Sequence, residues 1–317
     1  AEELINEALA SPMELWDDWI KMTAWHLLGE IQKARSDFEE ADKSFAEYLL
    51  LSFELGKDVY IANGYYSLGE VSQALGKHED AEELFSEALA IYESIGEEMG
   101  HANCLLQLGT CQARLAKFEE AQRSLTKAFE IYRRLGNHSG QASVLVGIGD
   151  IHLDQSKLDE AEEIYTQAMD GHMYESDDRG RASILFGLGT IHLERSKYSE
   201  AEGTITEALD IYTRLEDGVG RTNSFLLLGR LRTRQGRYDE AKTLISTASW
   251  IAVDLNYDPA LNLVDTYLSQ VYEAETASAE IPLSSSDQDP SQEPSEDANE
   301  SVPSPVTVDS SSEKISP

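Results

Sequence analysis

Six glycines recur at one spacing: Gly29, Gly69, Gly109, Gly149, Gly189 and Gly229, each 40 residues after the last. Twelve residues beyond each stands an alanine: Ala41, Ala81, Ala121, Ala161, Ala201 and Ala241. A fixed period of this length specifies a stack of like supersecondary units, each burying its apolar face on its neighbours. Such arrays present an extended surface to partners.

One period shows how the unit is built. From Ala62 to Ala74, Tyr65, Leu68, Val71 and then Leu75 fall at three- and four-residue steps, the stripe of an amphipathic helix. Gly76 suits the end of that helix because glycine tolerates positive φ. Glu79 and Asp80 open a second helix, where acids favour the positive end of the helix dipole. Ala81, Leu84, Phe85, Ala88, Leu89, Ile91 and Tyr92 form its apolar face, and Gly96 and Gly100 mark its exit. A glycine inside the first helix costs about 1 kcal/mol relative to alanine. Six such costs at one register imply close approach of the partner helix, whose alanines recur at Ala81/Ala88, Ala121/Ala128, Ala161/Ala168, Ala201/Ala208 and Ala241/Ala248. That packing role is preferred to a phosphate-binding loop.

Leu68-Gly69, Asp80-Ala81 and Ala88-Leu89, with Leu188-Gly189, Glu200-Ala201 and Ala208-Leu209, carry a resemblance to the tetratricopeptide repeat family. The link Leu135-Gly136-Asn137-His138-Ser139-Gly140-Gln141-Ala142 is similar to that of the kinesin light chain and Leu-Gly-Asn polarity-protein subgroup. The resemblance implies an all-α fold, an α-α superhelix of antiparallel helix pairs with the first helix of each pair (helix A) lining the concave face. The expected organisation is a truncated half-repeat at 1–20, six full repeats from 21 to 260, a closing helix around Leu261–Glu275, and a tail at 276–317. Because AEELINEALA at 1–10 nearly repeats AEELFSEALA at 81–90, Ala1 falls in mid-repeat, and further sequence upstream is expected.

The formal charge of −34 argues against DNA, RNA or an anionic membrane as principal partner, since phosphate contacts need clustered Lys and Arg. No long apolar run or secretory signal is present, and Cys104 and Cys111, seven apart on one helix, lie too far apart to bridge. An intracellular, cytoplasmic protein with reduced core cysteines is expected. The tail is rich in Ser, Pro and acids, with nine acids against one lysine, and should be disordered. Ser304-Pro305, Ser316-Pro317 and Ser286 are candidate phosphorylation sites within it.

Catalytic motifs are lacking, and no enzyme activity, metal or cofactor is expected. His152 and His192 share one slot in neighbouring repeats and are read as packed residues, since no further ligand type recurs beside them. Two departures stand out. Tyr48 fills a slot that is alanine in later repeats, and Gly171 replaces the Ile of Ile91, Ile131 and Ile211, so MDGHMYESDDRG is expected to fray that helix end.

The groove candidates come from three patterns. Six residues before the glycine the slot is polar: Thr23, Asn63, Asn103, Ser143, Ser183 and Asn223. In similar proteins, asparagines here bond the backbone of an extended ligand; the alternative is an ordinary solvated slot. Three residues before the glycine stand His26, Tyr66, Leu106, Val146, Phe186 and Leu226, an apolar series suited to an amphipathic peptide. Residues 221–260 carry a net charge of +2, against −17 for residues 1–100, and Arg230 and Arg234 share one face. Arginine clusters suit carboxylates and phosphates. The expected partner-binding residues are therefore Asn63, Tyr66, Asn103, Phe186, Asn223, Arg230 and Arg234. The leading expectation is a non-enzymatic adaptor gripping a peptide or helix of another protein. The alternative is the repeat region of a larger NTPase-type signalling protein. The acidic tail is also a candidate for folding onto the arginines of 221–260.

Overall fold

The computed structural model describes residues 18–175, 178–255 and 257–279, together with Ile5. Of the expected half-repeat at 1–20, residues 1–17 (Ile5 apart) fall outside the described residues, as does the tail from 280. Thirteen helices are described, with no strand among the described residues. They run α1 (Asp18–Ala34), α2 (Phe38–Glu54), α3 (Asp58–Ala74), α4 (His78–Ile95), α5 (Glu98–Arg114), α6 (Phe118–Leu135), α7 (His138–Asp154), α8 (Leu158–Glu175), α9 (Asp178–Glu194), α10 (Tyr198–Arg214), α11 (Gly218–Arg234), α12 (Tyr238–Asp254) and α13 (Asp258–Ala279). Each odd helix up to α11 packs most extensively on the even helix that follows, giving six hairpins. Successive odd helices also touch, as α5 does α7 and α7 does α9, and no successive even pair packs to the same extent. The curvature of the α-α superhelix therefore places the odd helices, the helices A, on its inner face.

The register glycines answer to bulk rather than to small partner residues. A Cβ on Gly29 would lie 2.6 Å from the Phe45 ring and one on Gly69 2.7 Å from the Phe85 ring. Leu125, Tyr165, Ile205 and Ile245 fill the same role for Gly109, Gly149, Gly189 and Gly229. The flanking alanines, among them Ala81, Ala88, Ala121 and Ala128, are fully buried, so each helix B drives one large side chain between two small ones into the gap left by the glycine. Glycine-to-bulk packing thus replaces the small-on-small contact expected.

The link of the motif Leu135–Ala142 is explained residue by residue. Gly136 caps α6 in the left-handed region (φ 69°), and Asn137 caps α7 by accepting a 2.7 Å hydrogen bond from the Gly140 amide. A side chain on Gly140 would strike the ring of Tyr132, its Cβ 2.4 Å from Cδ1. Gly100 and Gly220 admit Tyr92 and Tyr212 in the same way, so Gly100 lies in the first turn of α5 rather than marking the exit from α4. Helix α3 likewise begins at Asp58, four residues before the apolar stripe.

Both departures resolve locally. Tyr48 is buried and faces His26 (ring centroids 4.9 Å apart), while Ser52, one turn on, is small where Tyr92 and Tyr132 stand in later repeats. Bulk has moved by one helical turn, with the slot still filled. Helix α8 runs unbroken through Gly171 to Glu175, as long as α4 and α6, which corrects the expected fraying. One glycine's propensity cost is small beside the packing of Ala161, Tyr165 and Ala168 that holds the helix. No described helix is long and apolar enough to cross a membrane.

Candidate functional site

The inner face is built from helices A, with the ends of their partner helices reaching its margin. The polar slot runs along it, and a tyrosine holds it. Tyr92 donates to Asn63 Oδ1 at 2.5 Å and Tyr132 to Asn103 Oδ1 at 2.6 Å; the Ser183 and Tyr212 hydroxyls lie 3.2 Å apart. Tyr48 of the preceding repeat also lies beside Asn63, and Tyr257 beside Asn223. Burial pushes the Tyr48 hydroxyl up to about 12, and pushes Tyr92 and Tyr132 upward too, so all three remain protonated donors at neutral pH. The slot is neither free nor merely solvated. The Asn63 and Asn103 carbonyls are occupied, which fixes their amide planes and leaves the Nδ2 hydrogens as donors. The recurring tyrosines at 92, 132 and 212, one period apart save for position 172, were the sequence signal for this pairing.

The apolar series lies lower than expected. Leu226 is buried, Tyr66 packs 5.5 Å from the Phe85 ring and accepts a 3.4 Å hydrogen bond from Gln107, and Phe186 is half-buried between two core clusters. These residues are wedged between repeats and offer only an edge to the groove.

The arginines are already engaged. Arg230 and Arg234 each reach one oxygen of Glu194 at 2.8 Å; Arg234 also donates to the Leu193 carbonyl, and Arg230 lies over the Tyr267 ring. Against the upward push of burial, these two arginines hold Glu194 below its ordinary value. Arg232 grips Glu202 through two bonds of 2.8 and 2.6 Å, and Arg237 grips Glu240. The cluster reads as basic in sequence and is neutralised within the fold; the tail that would meet it lies outside the described residues.

Between these ends lies a group that sequence reasoning missed. Tyr165 occupies the hairpin-core slot held elsewhere by Phe45, Phe85, Leu125, Ile205 and Ile245. Its hydroxyl passes Gly187, where a Cβ would lie 2.8 Å away, and donates to Asp150 Oδ1 at 2.5 Å. Arg114 of α5 stands 4.0 Å from the other Asp150 oxygen. Burial raises the Asp150 and Asp154 carboxyls, opposed at Asp150 by Arg114 and Tyr165 and at Asp154 by Arg114. The middle of the inner face is therefore polar and internally paired. Cys104 and Cys111 are buried free thiols, each pushed up to about 12 by burial. His152 and His192 each enclose an Nδ1 without a hydrogen-bond partner.

With this geometry in place, comparison decides the family. The tetratricopeptide repeat model matches residues 20–94, 60–134, 101–172, 140–214 and 180–249. The chain belongs to the tetratricopeptide repeat family. The match is to the family as a whole and does not select the kinesin light chain subgroup. Among curated proteins none matches this tetratricopeptide repeat chain. Solved structures share the fold. A Rap protein complexed with Competence and Sporulation Factor superimposes with a TM-score of 0.64 at 15% identity, over 87% of this chain and 80% of that one. NprR in complex with its cognate peptide NprX gives 0.63 at 16% identity, over 89% and 84%. A tetratricopeptide repeat protein from Parabacteroides merdae gives 0.56 at 17%, over 86% and 91%.

Proposed function

We propose that this protein is a non-enzymatic interaction module that binds an extended peptide or a helix of a protein partner along the inner face of helices A. The observation that carries the reading is the row of asparagines whose carbonyls are tied to tyrosine hydroxyls. Asn63 and Asn103 sit in equivalent slots of neighbouring repeats, and each retains amide donors for the carbonyls of a ligand backbone. Ser143 and Ser183, in the same slot of the middle repeats, are small. Two of the similar solved proteins, a Rap protein and NprR, are complexed with Competence and Sporulation Factor and with a cognate peptide, and the latter supports a peptide as the ligand class. The contacts assigned are Asn63, Asn103 and Asn223, with the edges of Tyr66 and Phe186 at the margin. Arg230 and Arg234 take part once a ligand carboxylate competes with Glu194. The charge of −34 supports a protein partner over nucleic acid or an anionic membrane.

The test places a photo-crosslinking phenylalanine at Thr110 on the inner face and, separately, at Glu87 on exposed helix B. Partner peptides crosslinked at 110 but not at 87, and lost in N63A/N103A at unchanged helicity, are the expected result. Crosslinks confined to position 87 would reject the groove.

A further inference from the structure

The first repeats touch the last ones. Gly76, in the turn between α3 and α4, meets Pro259 at the start of α13, more than four repeats later in the chain: a Cβ on Gly76 would lie 2.3 Å from Pro259 Cγ. Beside it, Val219 of α11 packs on the core of Phe38, Ala41 and Phe45. A cleft of about 120 Å³ runs between the two sides, with Asp37, Glu39, Glu40 and Leu75 facing Asp254 and Leu255. The superhelix thus closes one turn upon itself along a narrow seam.

Two opposing forces meet at this seam. Leu75, Pro259 and Val219 supply apolar contact. The charged residues lining the cleft are all acidic, on both sides of it, so closure brings like charges together. The seam is also small beside the hairpin interfaces, each of which runs the length of two helices. We infer that it is a reversible latch: repeats 1–2 part from the α12–α13 link while every hairpin stays packed, and the state of the latch sets the width of the inner groove.

The repeats supply their own control. The turn position of Gly76 (φ 75°) is equivalent to Ser36, Ala116, Ser156 and Ser196, all with φ between 57° and 66°, and to Gly236 (φ 72°). A side chain is therefore tolerated there by the backbone, and nothing lies within 4 Å of a Cβ at Gly236. Gly76→Ala adds a clash with Pro259 that Gly236→Ala lacks, at equal backbone strain.

The experiment needs no ligand, so its failure leaves the groove reading standing. Spin labels at Glu79→Cys and Asp265→Cys, both exposed, report the separation across the seam while the buried native thiols stay unlabelled. The parent should show a dominant short distance. G76A should move most of that population to longer distances, G236A should not, and G76A/P259A should restore the short one. Raising salt should increase the parent's closed fraction. As a check independent of G76A folding, the Cβ positions at 76 and 259 lie 3.6 Å apart, within disulfide range, so G76C/P259C should oxidise readily to a locked form. Equal distances in G76A and parent, an equal shift in G236A, salt insensitivity, or failure of G76C/P259C to oxidise would each overturn the latch.

Discussion

Replacing Gly109 by alanine tests the packing on which the array depends. In open surroundings this change stabilises a helix by about 1 kcal/mol. At Gly109 the added Cβ would lie 2.7 Å from Leu125 Cγ, 2.9 Å from its Cδ2 and 3.2 Å from the Ala121 carbonyl oxygen. The two carbon distances are well inside the ~3.5–4.0 Å optimum. Leu125 is fully buried and the third contact is backbone, so α6 as a whole must shift. Overpacking of that kind costs about 1–3 kcal/mol, and backbone involvement places it toward the upper end. The net expectation is destabilisation by about 1–2 kcal/mol. Gly203, exposed in α10 with nothing within 4 Å of its Cβ, supplies the reference: G203A should stabilise by about 1 kcal/mol. Urea titration followed by circular dichroism measures both, and near 250 residues each kcal/mol moves Tm by about 2–4 °C. A G109A protein as stable as G203A, or more stable than the parent, would refute glycine-to-bulk nesting.

The remaining predictions concern titration and reactivity. Cys104 and Cys111 should resist a disulfide-exchange reagent at pH 8 in the native protein and react fully in urea, because burial raises both thiols to about 12; rapid native labelling would contradict the buried placement. Burial holds His26 below its ordinary 6.5, outweighing nearby Glu30. Its folded value is lower than its unfolded one, so its contribution is present above pH ~6.5 and is lost as pH falls through and below that value. H26F should accordingly lose less Tm than the parent between pH 7.5 and 5.5, and an equal loss would place the sensitivity elsewhere. Tyr165→Phe removes the hydroxyl that Asp150 accepts from, leaving a charge-assisted bond unmade, and should cost about 1.5–3 kcal/mol in the same urea titration; a neutral effect would show that water replaces the phenol.

What the sequence alone determined was local and periodic. Glycine recurrence every 40 residues, the alanines twelve beyond, and the link from Leu135 to Ala142 specify helices, caps and hairpins, because each depends on residues one or two turns apart. Helix ends such as Asp58 escaped because caps there use backbone groups and leave little side-chain signal. The site was legible only as a list. Asn63 and Asn103 were visible, but the tyrosines that hold them stand 29 residues away, and the burial of Tyr66 and Phe186 depends on the neighbouring repeat. Arg230 and Arg234 looked free because Glu194 lies 36 and 40 residues before them. Contacts at that separation depend on how repeats stack, and the seam between Gly76 and Pro259 depends on the angle accumulated over more than four of them. Small rotations per repeat add up along a solenoid, so which surfaces finally meet was decided by the tertiary structure.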